Sequence, residues 1–169
     1  MSRVYKSIVT FTVAVFCLAT CTTALGEVEV IPVNPNTVLI AVGEIITCED
    51  EYSITTEAPE FTPSTTRETH HVLTLKIIYQ NLLLENTAPS GFITAKVTYR
   101  EKWEFPLDYV RYEYVEDRTV EVNPELEIEP LVEIVLVFNC EVPNIVATDD
   151  QLLELTLSIE NDNYRVALR

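Results

Sequence analysis

The sequence predicts an all-β protein, specifically a two-sheet antiparallel β-sandwich of eight or nine strands. Three observations carry that expectation. Residues 93–103 alternate strictly: Ile93, Ala95, Val97, Tyr99 and Trp103 fall on one face, and Thr94, Lys96, Thr98, Arg100 and Lys102 on the other. Only a period of two produces that division. Runs rich in Val, Ile, Leu and Tyr recur along the chain, bounded by Pro, Asn and Asp rather than by glycine. Helical spacing is weak everywhere except 149–155, where Asp149 and Asp150 suit the opening of one turn.

The first element is a leader. In "MSRVYKSIVTFTVAVFCLATCTTALG", Arg3 and Lys6 precede an uncharged, mostly apolar stretch from Ile8 to Ala19. Ala24 and Gly26 supply the small residues a signal peptidase reads, so cleavage is expected before Glu27. A membrane span needs about 20 apolar residues, and this core is shorter and thinned by threonines. "LATC" also has the outline of a lipoprotein box ending at Cys21, although threonine before the cysteine fits that pattern poorly. No later stretch is long and charge-free enough to span a bilayer. The remaining residues, 27–169, suit one domain, and the expected location is extracellular.

The mature chain then runs through "EVEVIPV" (27–33) and "TVLIAVGEIITC" (37–48), two β-type runs. Residues 49–69 are rich in Thr, Ser, Pro and Glu without apolar period, and read as a long loop open to O-linked sugars. No Asn-x-Ser/Thr acceptor occurs after residue 26, so N-linked sugars are excluded. Strands resume at His70 with "HHVLTLKIIYQNLLLEN", then "GFITAKVTYREKWEF", "DYVRYEYVED", "TVEVN", "ELEIE", "LVEIVLVFNC", "QLLELTLSIE" and "YRVAL".

Two of the 11 basic residues lie in the leader and none of the 27 acids does, which takes the formal charge from −16 to −18 on cleavage. Such a surface repels nucleic acid and anionic membranes. It leaves cations, mineral, basic proteins and extracellular or matrix components as partners.

Cys17 and Cys21 leave with the leader, so Cys48 and Cys140 remain. In an oxidising compartment a single bridge between them is the simplest outcome, with free thiols or an intermolecular link as alternatives. Closing so long a loop would contribute roughly 4 kcal/mol. The stretches "NTVLIAVGEIITC" (36–48) and "VFNC" (137–140) resemble the two cysteine strands of immunoglobulin-like domains, with Phe138 where that family usually has tyrosine. The resemblance covers these stretches alone. It implies cysteine strands in opposite sheets whose side chains meet across the core.

If the cysteines bridge strands that run in parallel, the residues after them leave at one end of the molecule. Glu49, Asp50 and Glu51 would then approach Glu141, Asp149 and Asp150, a set of oxygens suited to Ca²⁺. No other cofactor is indicated. His70 and His71 are adjacent on a strand and point to opposite faces, so they make no shared metal site. Lys96, Arg100 and Lys102 form the one basic concentration, a docking patch for an acidic partner or a solvated strand face. In "DYVRYEY", Tyr112 and Tyr114 share a face with Val110, and Tyr109 lies on the other with Arg111 and Glu113.

Catalysis finds no motif. The mature serines, Ser53, Ser64, Ser90 and Ser158, sit in no Gly-x-Ser-x-Gly elbow, and there is no phosphate-cradling glycine loop. The expectation is a secreted, acidic, non-catalytic module for binding, adhesion or matrix assembly. The alternatives are an acidic matrix protein that binds calcium or mineral, and a carrier of small apolar ligands.

Overall fold

The computed structural model describes residues 39–48, 51–123, 125, 127–160 and 162–169. The leader, the run at 27–33, Glu49 and Asp50 lie outside the described residues. The rest is all-β.

Eleven strands are present: β1 (Leu39–Ala41), β2 (Ile45–Cys48), β3 (Tyr52–Thr56), β4 (Glu60–Pro63), β5 (His70–Asn81), β6 (Ile93–Tyr99), β7 (Trp103–Tyr114), β8 (Val120–Glu121), β9 (Glu133–Pro143), β10 (Leu153–Ile159) and β11 (Asp162–Ala167). Their order across the sheet is β1-β11-β10-β6-β7-β9-β5-β3-β2, with β4 on β5 and β8 on β7. All these pairs are antiparallel except β1 with β11. The expected pair of separate antiparallel sheets is therefore replaced by one curled, mixed sheet.

Strand β7 is the reason. Its start pairs with β6, from Tyr99↔Trp103 to Ala95↔Leu107, and its remainder pairs with β9, from Asp108↔Asn139 to Tyr114↔Ile134. One 12-residue strand thus serves both halves, and backbone hydrogen bonding never breaks between them. The far edges meet because β1 and β2 are joined by only Val42, Gly43 and Glu44, a link that reaches at most ~14 Å. Gly43 takes φ 84° in that turn, a conformation in which a Cβ would be strained.

The curl encloses the core. Alternate residues of β5 (Leu73, Leu75, Ile77, Tyr79), β6 (Ile93, Ala95, Val97, Tyr99) and β10 (Leu153, Leu155, Leu157, Ile159) point inward and are buried. Tyr52 on β3 and Tyr164 on β11 join the two halves through their hydroxyls at 2.8 Å.

Three local expectations are corrected. The stretch 49–69 is not one long loop, because β3 and β4 lie within it and pair with β5. Tyr52, Ile54 and Thr56 alternate inward, so Thr56 is buried rather than offered to sugar. The helical turn lies at Asn144–Thr148, directly after Pro143, and Leu153 already begins β10. The alternation at 93–103 is two strands, not one. Arg100 and Glu101 both adopt left-handed backbone (φ 51° and 55°), and Lys102 N–H donates to the Tyr99 carbonyl at 3.2 Å. Tyr99 stands opposite Trp103, so Arg100, Glu101 and Lys102 form a three-residue hairpin loop, and Trp103 opens β7, about half exposed.

Candidate functional site

The cysteines are not bridged; both are free thiols. Cys48 stands opposite Tyr52, and Tyr52 opposite Asn81 of β5; Cys140 stands opposite Leu73 of the same strand. Eight residues of β5 separate the two registers, roughly 26 Å at ~3.3 Å per residue. A disulfide requires Cα atoms about 4.4–6.8 Å apart. The core crossing implied by the immunoglobulin-like resemblance is therefore absent. Cys48 donates to Glu51 Oε2 at 3.1 Å. Burial, with that carboxylate beside it, pushes its thiol up to about 12, and burial does the same for Cys140. Both stay protonated and inert.

The described members of the calcium set, Glu51, Glu141, Asp149 and Asp150, are kept apart for a related reason. β2 is antiparallel to β3, β3 to β5, and β5 to β9. So β2 and β9 run in opposite directions, which puts Glu51 at the other end of the sheet from Glu141. Glu51 stays beside Cys48. Glu141 accepts from the Ser64 and Thr66 hydroxyls at 2.6 Å each and pairs with Arg67 at 3.5 Å. Asp149 accepts from the Tyr99 hydroxyl at 2.5 Å and from Arg100 at 2.6 Å. Asp150, beside it, is exposed. Among the described residues no three His, Cys, Asp or Glu side chains converge to hold a metal ion. His70 and His71 are separately engaged, with the Thr69 hydroxyl and the Asn144 side-chain amide.

The basic face is consumed internally. Lys96 pairs with Glu104 at 2.7 Å, Arg100 with Asp149, and Lys102 lies over the Trp103 ring at 4.7 Å. Arg100 and Asp149, expected in two different sites, thus neutralise each other. The Tyr99 hydroxyl, together with Arg100, holds the Asp149 carboxyl below its usual range. A depressed carboxylate contributes stability above its unfolded value and loses it as pH falls through the folded one. Asp149→Asn should therefore melt below the wild type at pH 7, with the deficit shrinking as Asp149 protonates in acid. A deficit independent of pH would contradict this assignment.

The tyrosines of β7 also depart from expectation. The register shifts between Tyr109 and Arg111, leaving Val110 as a bulge. The extra residue reverses the alternation, so Tyr109, Tyr112 and Tyr114 lie opposite Phe138, Leu136 and Ile134 respectively. All three belong to the core face. Among the described residues the Tyr109 hydroxyl is buried without a hydrogen-bond partner.

Among the described residues, two of the concave features on the surface bear on function. One, of about 420 Å³, lies over β6, β10 and β11. Its charges are largely self-paired: Arg165 makes two bonds to Glu154, at 2.7 and 2.5 Å, and Lys96 is held by Glu104. The other, of about 480 Å³, lies where the β7–β8 turn meets the segment entering β9. Tyr114, Val115, Leu131 and Val132 give it an apolar wall, and Glu116, Asp117 and Glu133 an acidic rim. Its frame is main-chain bonding: Val115 N–H to the Glu133 carbonyl at 3.2 Å, and Tyr114 N–H to the Thr119 carbonyl at 2.9 Å. Leu131 adopts φ 64°. Its N–H donates to the Asn81 carbonyl at 2.7 Å, and the Gln80 side-chain amide donates to its carbonyl at 3.2 Å. Sequence reasoning passed over this groove. Its one signal was Leu131 and Val132 between acids directly after a proline.

These features define a β-sandwich protein with an acid-rimmed surface groove. Among solved structures the chain is similar to an uncharacterized β-sandwich protein from Clostridium difficile 630, with 15% identity and a TM-score of 0.58 over 78% of this chain and 95% of that one. At that identity the likeness shows the fold alone. No protein-family model matches the chain, and no curated protein matches it. No helix among the described residues is long and apolar enough to cross a membrane.

Proposed function

We propose that this protein is a secreted, acidic binding module without catalytic activity, serving recognition, adhesion or matrix assembly outside the cell. In fold terms, the two halves on either side of the β7 bend act as the two sheets of a sandwich. Secretion is supported by the leader at 1–26. One observation carries the binding role. Val115 and Leu131 in the 480 Å³ groove, and Val120 next to its lining residue Thr119, all expose apolar surface, with Leu131 69% exposed. Single exposed apolar residues are ordinary, but a group of them around a concavity marks an interaction surface.

The test is expression of the full chain in a secreting host, followed by titration of the released protein with a neutral solvatochromic dye. The dye should brighten on the native protein, and Val120→Ser combined with Leu131→Ser should remove most of that signal. A product retained in the cell, or a dye response unchanged by the double substitution, would overturn the reading.

A further inference from the structure

Building on the binding role just proposed, we infer that the groove between the β7–β8 turn and Leu131 receives a basic amphipathic segment of a partner protein. The apolar residues of that segment would seat on Leu131 and Val115, with lysine or arginine on the acidic rim.

The charge around the groove selects the occupant. Glu116, Asp117 and Glu133 border it, and no basic residue among the described residues lines it; Arg118 shares the turn but not the groove surface. Asp117 is occupied by the Thr119 N–H at 2.8 Å, whereas Glu116 and Glu133 take part in no ion pair among the described residues. Elsewhere on the surface Glu60, Glu104, Glu113, Glu141, Asp149 and Glu154 each hold a cation of this chain, whereas the two rim acids stand beside an apolar wall with none. Unpaired carboxylates flanking an apolar wall complement a segment that carries both features. The net charge of −16 would draw such a segment in from a distance.

The backbone supports the same assignment. A left-handed conformation is unfavourable for leucine, and strain of this kind concentrates where a structure presents a ligand contact. Burial does not offset it, since the side chain is 69% exposed. Asn81 and Gln80 hold the main chain so that an apolar side chain stands in water beside free acids.

The experiment is fluorescence anisotropy of the secreted full chain with a labelled short peptide alternating Leu and Lys. Two controls replace its Lys by Glu or its Leu by Ser. The Leu–Lys peptide should bind, the Leu–Glu peptide should not, and affinity should fall as salt rises. Glu116→Lys with Glu133→Lys should weaken binding at least about tenfold and remove most of the salt dependence. Leu131→Gly should weaken it at least about fivefold while raising the melting temperature, because glycine relieves the strained φ. That opposite movement separates lost contact from lost folding. Equal binding of the Ser–Lys peptide would reduce the effect to general attraction by an acidic surface and overturn the inference. If the neutral dye responds as expected but the charge reversals change nothing, the basic partner falls and the binding module stands. If neither dye nor peptide binds, both fall.

Discussion

Asn81→Ala is expected to destabilise the protein by roughly 4 kcal/mol, because the side chain joins two loops from inside the core. Asn81 has no exposed surface. Its amide donates to the Glu85 carbonyl at 2.8 Å and to the Ile128 carbonyl at 3.1 Å, and its oxygen accepts from the Leu83 N–H at 3.0 Å. Alanine removes all three bonds; the Ile128 carbonyl keeps the Thr87 N–H at 3.0 Å, while the Leu83 N–H and the Glu85 carbonyl lose the partner that ties their loop, at about 1–3 kcal/mol each. Asparagine at a strand end reads as a turn or surface residue, so its importance arises only from what surrounds it. Its main chain also bonds Leu131 and Val132, so the substitution should loosen the groove as well. Urea unfolding followed by circular dichroism measures the change. A loss below about 1 kcal/mol would show that the loops are not tied together here.

Phe138→Ala should cost a similar amount, about 3–5 kcal/mol, the usual range for deleting a buried phenylalanine. Phe138 is 2% exposed and lies between Leu75 of β5 and Tyr109 of β7, meeting the Tyr109 ring edge-on with centroids 6.0 Å apart. β9 is the central strand of its half, paired with β5 on one side and with the second part of β7 on the other, so a cavity there weakens both of those contacts. Against a typical domain stability of 5–15 kcal/mol, the variant should remain folded only marginally. The midpoint in urea should fall with little change in slope. Val122→Ala, at an exposed position, is the control and should shift stability by less than about 0.5 kcal/mol. A small loss at Phe138 would place the core elsewhere.

What the sequence alone determined is the all-β class and the inward face of its regular strands. In β5, β6 and β10 each residue's side of the sheet follows from counting by two, and burial obeys that count without exception at Leu73, Leu75, Ile77, Ile93, Ala95, Val97, Leu153, Leu155 and Leu157. Counting fails wherever the backbone inserts or reverses without a sequence mark. The Arg100–Glu101 turn carries neither glycine nor asparagine, so 93–103 reads as one strand; a closely paired hairpin imposes the left-handed backbone that these residues would not choose. Val110 has nothing to distinguish it as a bulge, yet it sends Tyr109 to the face opposite the one alternation assigns. The threonines of 52–56 look like loop until β5 offers them a partner, since β-propensity depends on neighbouring strands.

The expected site depended on long-range facts that composition does not contain. Whether acids after two cysteines converge is decided by the relative direction of β2 and β9, which in turn follows from two intervening strands, β3 and β5. Those pairings put the cysteines at opposite ends of β5 and gave Glu51, Glu141 and Asp149 separate local partners. The groove arose the same way. Leu131 and Val115 lie apart in sequence and become one surface only because β9 pairs with β7, bringing the Glu133 carbonyl to the Val115 N–H. Alternation is a local property of the chain, whereas strand direction and strand order are properties of the closed sheet, and here the closed sheet decided which side chains meet.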